Sequence, residues 1–508
     1  MNRLRAAGIV VLLLLPSIYL AWRFARMDHL GVLGDDGTYL VTAKSLAEGR
    51  GYRILSLPGE PRQTKFPILF PLALAAVWKV APPFPDNLPW ITLLCWLALP
   101  ALLALCRVIC ADFGISGWRS WLLCGMVVWN PAVLLLTLSP MTDVAGACLI
   151  LGCLILLERA ARNGGDARLA LAAAVAGAAA YLTRTAALPL VLVGPAVFLM
   201  RRQYGKACVF LCGMAPAIAA WAWWTRGAVS PLADYPRAFY LDYVSVFRFN
   251  VTWTSVADIV VANASQLFGA IGGLFFLMPD GSPYLRVAGL AVLLGLLLWI
   301  EKKGATSYNL FVAAYCALLL VQPQTPNERF IVPVLPLLLA ACLAQRWSPA
   351  VPASMAAVLA VLCVSGVSGP RFLAGYLQGQ ETTGYDVQRA CAWIRGHLPP
   401  DAGFVSAYDG LIYLHTGRHA LSYQIPPVLV YRDDQAGARR ALEDLPRYAR
   451  RNGLDYVLAT GSHPGASLPD ALQPIGMEVI EKNADPIFRA GEVGIYRLRA
   501  ARAAPTSQ

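Results

Sequence analysis

The sequence predicts an all-α polytopic membrane domain of about 11 transmembrane helices, followed by a small extramembrane α/β domain. Three observations carry this reading. Of the 508 residues, 57% are hydrophobic and only 14% charged, and the mean hydropathy is +0.54; few soluble proteins have that balance. The net charge of +12 is not gathered in one patch but falls in short basic clusters between apolar runs and in the C-terminal tail. That is the distribution of a positive-inside membrane protein, so membrane lipid rather than nucleic acid is the expected contact. From about Pro370 onward charges become frequent and the apolar runs shorten. The expected domains are therefore 1–369 in the membrane and 370–508 outside it.

Taken in order, Arg3 and Arg5 precede an apolar run from Ala7 to Trp22. This places the N-terminus in the cytoplasm and the polar segment 26–65 outside, as a first external loop. No small-residue cleavage site follows the run, so it reads as a retained first helix. Within the loop, Tyr39, Leu40, Ala43, Leu46 and Ala47 recur at three- and four-residue spacing, which predicts a short interfacial helix over 36–48, ended by Gly49 and Gly51. Residues 66–80 are short for a span and hold Pro67 and Pro71, so they read as re-entrant or juxtamembrane. Spans are expected near 90–105, 119–137, 144–157, 168–182, 186–200, 207–224, 286–300, 306–321, 330–345 and 351–368. The stretch 265–278 is left open. In the tail, 386–397 and 434–452 read as helices, and 404–406, 420–421, 456–458 and 492–498 as strands.

This topology puts Asp35, Asp36, Lys65, Asp143, Arg184 and Arg329 on one side of the membrane. Charges near hydrocarbon cost about 2.5–3.5 kcal/mol each at mid-helix, so a one-sided cluster points to function. The types suit sugar transfer from a lipid phosphate. A carboxylate takes the proton of an acceptor hydroxyl. A lysine and arginines hold the phosphate and the charge that develops as it leaves. Each residue also has a structural reading: Asp35, Asp36 and Asp143 as helix caps, Lys65 as an interfacial anchor. Eleven of the twelve cysteines lie in or beside apolar runs, where buried thiols are usual. His415 and His419 stand four apart, but Gly417 between them argues against a metal-binding helix, and His29, His397 and His463 add no metal spacing. Asn263-Ala264-Ser265 fits an N-glycosylation pattern.

Asp35-Asp36-Gly37-Thr38-Tyr39-Leu40 resembles the Asp-Glu-x-x-Tyr segment in the first external loop of the C-type (GT-C) membrane glycosyltransferases. Within them it is similar to family 39, the relatives of protein O-mannosyltransferases and the lipid A aminoarabinose transferase. Thr64-Lys65-Phe66-Pro67 resembles their Lys-Pro-Pro block. Ser139-Pro140-Met141-Thr142-Asp143, Leu182-Thr183-Arg184-Thr185 and Asn327-Glu328-Arg329-Phe330-Ile331-Val332-Pro333 resemble three later blocks, in order, over roughly residues 1–370. The resemblance implies a GT-C-like membrane domain. It implies an inverting transferase that takes a sugar from a polyprenyl-phosphate donor to a hydroxyl on a lipid, glycan or protein. Asp35 would be the catalytic base, with Asp36 beside it. Lys65, Arg184 and Arg329 would contact the donor phosphate, and Tyr39 and Asp143 would support the site or the acceptor. The sequence departs from the pattern at Asp36, where Glu is usual, and at Phe66, where Pro is. No carboxylate trio at metal spacing is evident, so a divalent metal is not indicated. The expected location is a bacterial inner membrane with a periplasmic tail. The rival readings are a transporter or flippase of a lipid-linked glycan, and an inactive scaffold.

Overall fold

A computed structural model describes residues 3–162, 166–226, 235–243, 246–247, 255–276, 286–287, 289–290, 292–293, 304–323, 326–344, 352–461, 465, 468 and 472–499. The chain divides into two compact units. One comprises Met1–Met27, Phe66–Ala228 and Trp253–Leu377; the other comprises Asp28–Lys65, Val229–Thr252 and Gln378–Gln508.

The first unit is helical. Among the described residues five helices are long and apolar enough to cross a membrane: Leu4–Arg23, Leu88–Asp112, Asp143–Ala161, Tyr204–Arg226 and Val256–Leu274. A sixth arises if Trp118–Val128 and Pro131–Thr137, bent by 58°, are one broken span. The break has a clear cause. Asn130, held extended before Pro131 as residues before proline are, caps the second helix by accepting from the amides of Ala132 and Val133 at 3.0 and 3.4 Å. Its own amide donates to the Leu274 carbonyl at 2.7 Å.

The predicted all-α domain of about 11 transmembrane helices with an α/β tail is thus corrected to five spans, or six with the bent pair, and a small β-rich C-terminal domain. A span needs roughly 20 residues. Several apolar runs fold shorter than that, as Leu69–Val80, Ala167–Thr183, Thr185–Met200 and Ser307–Val321. The run 330–345 breaks into Glu328–Ile331 and Leu335–Leu343, around Pro333 and Pro336, which cannot continue an ordinary helix. The expected span 286–300 lies mostly outside the described residues, and 351–368 forms the start of a helix that runs from Pro352 to His397.

Small residues set the closest helix approaches, as is usual where helices meet in lipid. A Cβ on Gly194 would lie 2.2 Å from the Phe210 ring, and one on Gly213 would lie 2.6 Å from the Ala174 methyl.

The second unit is built on a five-stranded sheet in the order β2-β1-β3-β5-β4. The strands are β1 (Phe404–Val405), β2 (Ala420–Leu421), β3 (Tyr456–Ala459), β4 (Ala484–Ala490) and β5 (Val493–Leu498). β1 pairs in parallel with β2 and β3, whereas β3–β5 and β5–β4 are antiparallel. The helix expected over 434–452 is two helices, Gln435–Glu443 and Leu445–Arg451, with Pro446 at the first turn of the second, where its missing amide costs nothing. The core draws on distant chain: Ile54, Leu55, Leu57, Tyr240 and Leu241 pack with Val405, Leu421, Val457 and Ile480. The helix at the first loop runs Asp35–Ala47. It is buried throughout from Asp36 to Ala43, not one-sided as the spacing suggested.

Gly194→Leu should lower the melting temperature of the detergent-solubilised protein by several degrees, since overpacking a tight core costs about 1–3 kcal/mol. Gly205→Ala, which meets no atom within 4 Å, should leave it in place; equal melting of the two would refute the packing argument.

Candidate functional site

The sequence-predicted residues form two groups, one in each unit. In the helical unit, Asp143, Arg184 and Arg329 come together. Asp143 opens the helix Asp143–Ala161 and is fully buried. Arg184 ends the helix Ala167–Thr183 in extended conformation, its amide donating to the Ala180 carbonyl at 2.8 Å. Arg329 sits on the short turn Glu328–Ile331. Arg184 Nη1 stands 2.5 Å from Asp143 Oδ1, and Arg329 Nε donates to both carboxylate oxygens at 3.1 and 3.0 Å. Arg184 also donates to the Thr142 hydroxyl at 3.4 Å and lies over the Phe330 ring at 5.5 Å. Tyr315 fixes the same turn, its hydroxyl donating to the Phe330 carbonyl at 2.9 Å. A Cβ on Gly146 would only reach ordinary contact with the Arg184 stem at 3.6 Å. Two guanidiniums on one carboxylate give these three side chains a net positive charge.

In the other unit, Asp35, Asp36 and Tyr39 lie on the first turns of the helix Asp35–Ala47. Gly34, at φ +70°, supplies the left-handed step that starts it. Asp36 is fully buried; Oδ2 accepts from the Gly31 amide at 2.8 Å and Oδ1 from the Gly37 amide at 2.7 Å. Burial pushes its carboxyl up to about 6 against those hydrogen bonds, with the charge of Asp35 a smaller push in the same direction. Asp35 is half-buried. Lys65 is buried; its Nζ donates to the Phe239 carbonyl at 2.8 Å and stands 3.9 Å from the centre of the Phe239 ring and 5.3 Å from that of Tyr243. Such a desolvated cation over aromatic faces is stabilised by about 2 kcal/mol or more. The neighbouring Thr64 hydroxyl donates to the Leu241 carbonyl.

Sequence reasoning missed Asp409. It opens the helix Asp409–Thr416, is buried, and accepts from the Ser56 hydroxyl at 3.2 Å and from the Tyr240 hydroxyl. Burial pushes it up to about 7. A single Asp before a Gly in a charged tail carries no signal; its partners are 353 residues away in the case of Ser56. Among the described residues no group of three His, Cys, Asp or Glu is placed to hold a metal ion. The helix bearing His415 stops at Gly417, φ +72°, and His463 lies outside the described residues. Asn263 is not a surface acceptor. It is fully buried in the helix Val256–Phe276, donating to the carbonyls of Leu319, Leu320 and Gln322 at 3.2, 3.1 and 2.8 Å.

No protein-family model matches the chain, and no curated protein matches it in sequence. Solved structures do. The chain aligns over 98% of its length with 100% of ArnT from Cupriavidus metallidurans bound to undecaprenyl phosphate, with a TM-score of 0.54 at 15% identity. The apo form of the same protein gives 0.51 at 14%, covering 97% of this chain and 98% of that one. The Archaeoglobus fulgidus oligosaccharyltransferase, tethered to an acceptor peptide containing the NVT sequon, gives 0.50 at 10%, covering 98% and 74%. The chain has a GT-C-like fold. At these identities the likeness is one of fold. With five or six apolar helices of spanning length among the described residues, it is the fold of a multi-pass membrane protein.

Two outcomes follow from the geometry. Removing the shared anion takes the carboxylate from both a buried and a half-buried arginine, at a cost of about 3–5 kcal/mol, whereas removing one arginine leaves a pair. Asp143→Asn should therefore melt well below Arg329→Gln in a thermal scan, and the reverse order would sink the triad argument. For Asp36 and Asp409 the folded pKa lies above the unfolded value of about 3.9. Their contribution to stability is complete below that value and is lost as pH rises through about 6 and about 7 respectively. The melting temperature of Asp36→Asn or Asp409→Asn should accordingly fall less steeply between pH 4 and 8 than that of wild type; parallel profiles would contradict the shifts.

Proposed function

We propose that the chain is an integral-membrane glycosyltransferase, similar to family 39. It moves a sugar from a polyprenyl phosphate to an acceptor hydroxyl on a cell-envelope lipid, glycan or protein. The reaction takes place on the periplasmic face of a bacterial inner membrane. The observation that carries this reading is the Arg184–Asp143–Arg329 triad, a net positive charge held at helix ends inside an apolar unit. Such a centre suits a phosphate whose bridging oxygen departs with an electron pair. The fold adds support, since the ArnT structure it resembles holds undecaprenyl phosphate.

In this reading, which for Lys65 follows its sequence block alone, Arg184, Arg329 and Lys65 are the residues assigned to the donor phosphate, and Asp143 orients the two arginines. Asp35 takes the proton from the acceptor hydroxyl as its oxygen attacks the anomeric carbon. The bond from that carbon to the phosphate oxygen breaks on the opposite side, giving inversion and free polyprenyl phosphate. The leaving group is already an anion, so no second carboxylic acid has to protonate it. Asp36 closes the loop that presents Asp35, and Tyr39 supports the site or the acceptor.

The test is turnover of radiolabelled polyprenyl-phosphate mannose, glucose or pentose by the purified protein, wild type beside Asp35→Asn. Loss of a general base costs about 10²–10⁴-fold in rate, so donor consumption should nearly vanish in the variant while donor binding persists. Equal rates would remove Asp35 from the role. Absence of turnover with every donor would overturn the transferase reading and favour a transporter or an inactive scaffold.

A further inference from the structure

We infer that Asp409 is a positioning residue that sets both the Asp35–Asp36 loop and Lys65 by tying together the three chain segments of their unit. This rests on the transferase reading for its kinetic consequences, and on geometry alone for the tie itself.

Those segments are 28–65, 229–252 and 378–508. Asp409 belongs to the third. From the first it receives the Ser56 hydroxyl at 3.2 Å, and from the second the Tyr240 hydroxyl. Each donor is itself anchored beside β2. The Ser56 carbonyl accepts from the Ala420 amide at 2.8 Å, and the Tyr240 hydroxyl accepts from the Ser422 amide at 2.9 Å. Tyr240 is thus held at its tip from two sides. The residues flanking it are those that hold the Lys65 segment: Lys65 Nζ bonds the Phe239 carbonyl, and the Thr64 hydroxyl bonds that of Leu241. Seating Tyr240 therefore seats Lys65.

The route to the carboxylate pair is shorter. Gly410 follows Asp409, and Gly37 follows Asp36. The two glycines meet backbone to backbone: a Cβ on Gly410 would lie 2.8 Å from both the Cα and the carbonyl carbon of Gly37. No side chain fits between them, so the start of the helix Asp409–Thr416 fixes the start of the helix Asp35–Ala47. One buried carboxylate registers the nucleus to which both functional segments are attached. Nothing in this arrangement brings Asp409 itself to substrate.

The two routes predict separable kinetics in the intact protein. Tyr240→Phe removes the hydroxyl and with it both its bond to Asp409 and its bond from the Ser422 amide, and should raise the donor KM at least about fivefold while kcat stays within about twofold. Gly410→Ala must displace Gly37, and a shift of about 1 Å at a reacting group costs about 10²-fold, so kcat should fall with donor KM unchanged. Asp409→Asn should show both effects. Arg439→Ala, which breaks an exposed pair with Glu478, serves as control and should show neither. Amide hydrogen exchange supplies an arm independent of activity: in Asp409→Asn, exchange should quicken at 31–37 and 239–241 and stay unchanged in the β4–β5 hairpin. Variants that lose only yield or melting temperature, with kcat and KM per folded molecule as in wild type, would overturn the inference. So would exchange that is unaltered, or quickened across the whole unit. If wild type turns over no donor, the transferase reading fails, and the exchange arm alone decides whether Asp409 is the tie.

Discussion

The helical unit depends on one electrostatic fact: the buried Asp143 carboxylate is shared by Arg184 and Arg329. Taking a carboxylate out of water is expensive, and so is taking a guanidinium out. Here each cost is offset by the same few bonds. The three residues sit at the start of one helix, the end of another and on a four-residue turn. The triad therefore fixes the mutual position of three backbone ends that no regular helix packing would specify. Thr142, Phe330 and Tyr315 extend it into a local frame around those ends.

The sheet-bearing unit solves a different problem. Its three segments are far apart in sequence, so closing them costs chain entropy that only burial can offset. Ile54, Leu55 and Leu57 enter the core from one segment and Tyr240 and Leu241 from another. Apolar burial is non-directional and does not by itself fix register. The directional bonds do: Ser56 and Tyr240 onto Asp409, and Lys65 and Thr64 onto the carbonyls of Phe239 and Leu241 on either side of Tyr240. The Gly37–Gly410 approach adds a steric constraint.

What the sequence made legible follows the same physics. Asp143, Arg184 and Arg329 were each visible, because a charge inside an apolar run stands out. That they share bonds was not visible, since Asp143 and Arg329 lie 186 residues apart. Four of the five strands could be read from β-branched and aromatic runs; β4 was missed, because Asp485-Pro486 and Arg489 interrupt its pattern. Spans were overcounted because hydropathy registers apolar residues and not the breaks at Pro131, Pro333 and Pro336. Asp409 was invisible because its partners are non-local, and a carboxylate in a charged tail reads as surface.

Two adjacent carboxylates have opposite surroundings, and under the proposed transferase reading this favours Asp35 over Asp36 as the base. Both Asp36 oxygens are taken by backbone amides, at 2.8 and 2.7 Å, and the group is fully buried. To accept a proton from an acceptor hydroxyl, Asp36 would have to give up a bond that closes the Gly31–Gly37 loop. Its raised pKa reflects that confinement, with burial the largest cause; it is not a mark of readiness for proton transfer. Asp35, half-buried one residue earlier, is close enough to push Asp36 upward and is the more exposed of the two. Confinement of one carboxylate thus orients the other. Under the proposed function, the position of that loop, rather than the acidity of either group alone, is then the quantity the surrounding unit has to hold.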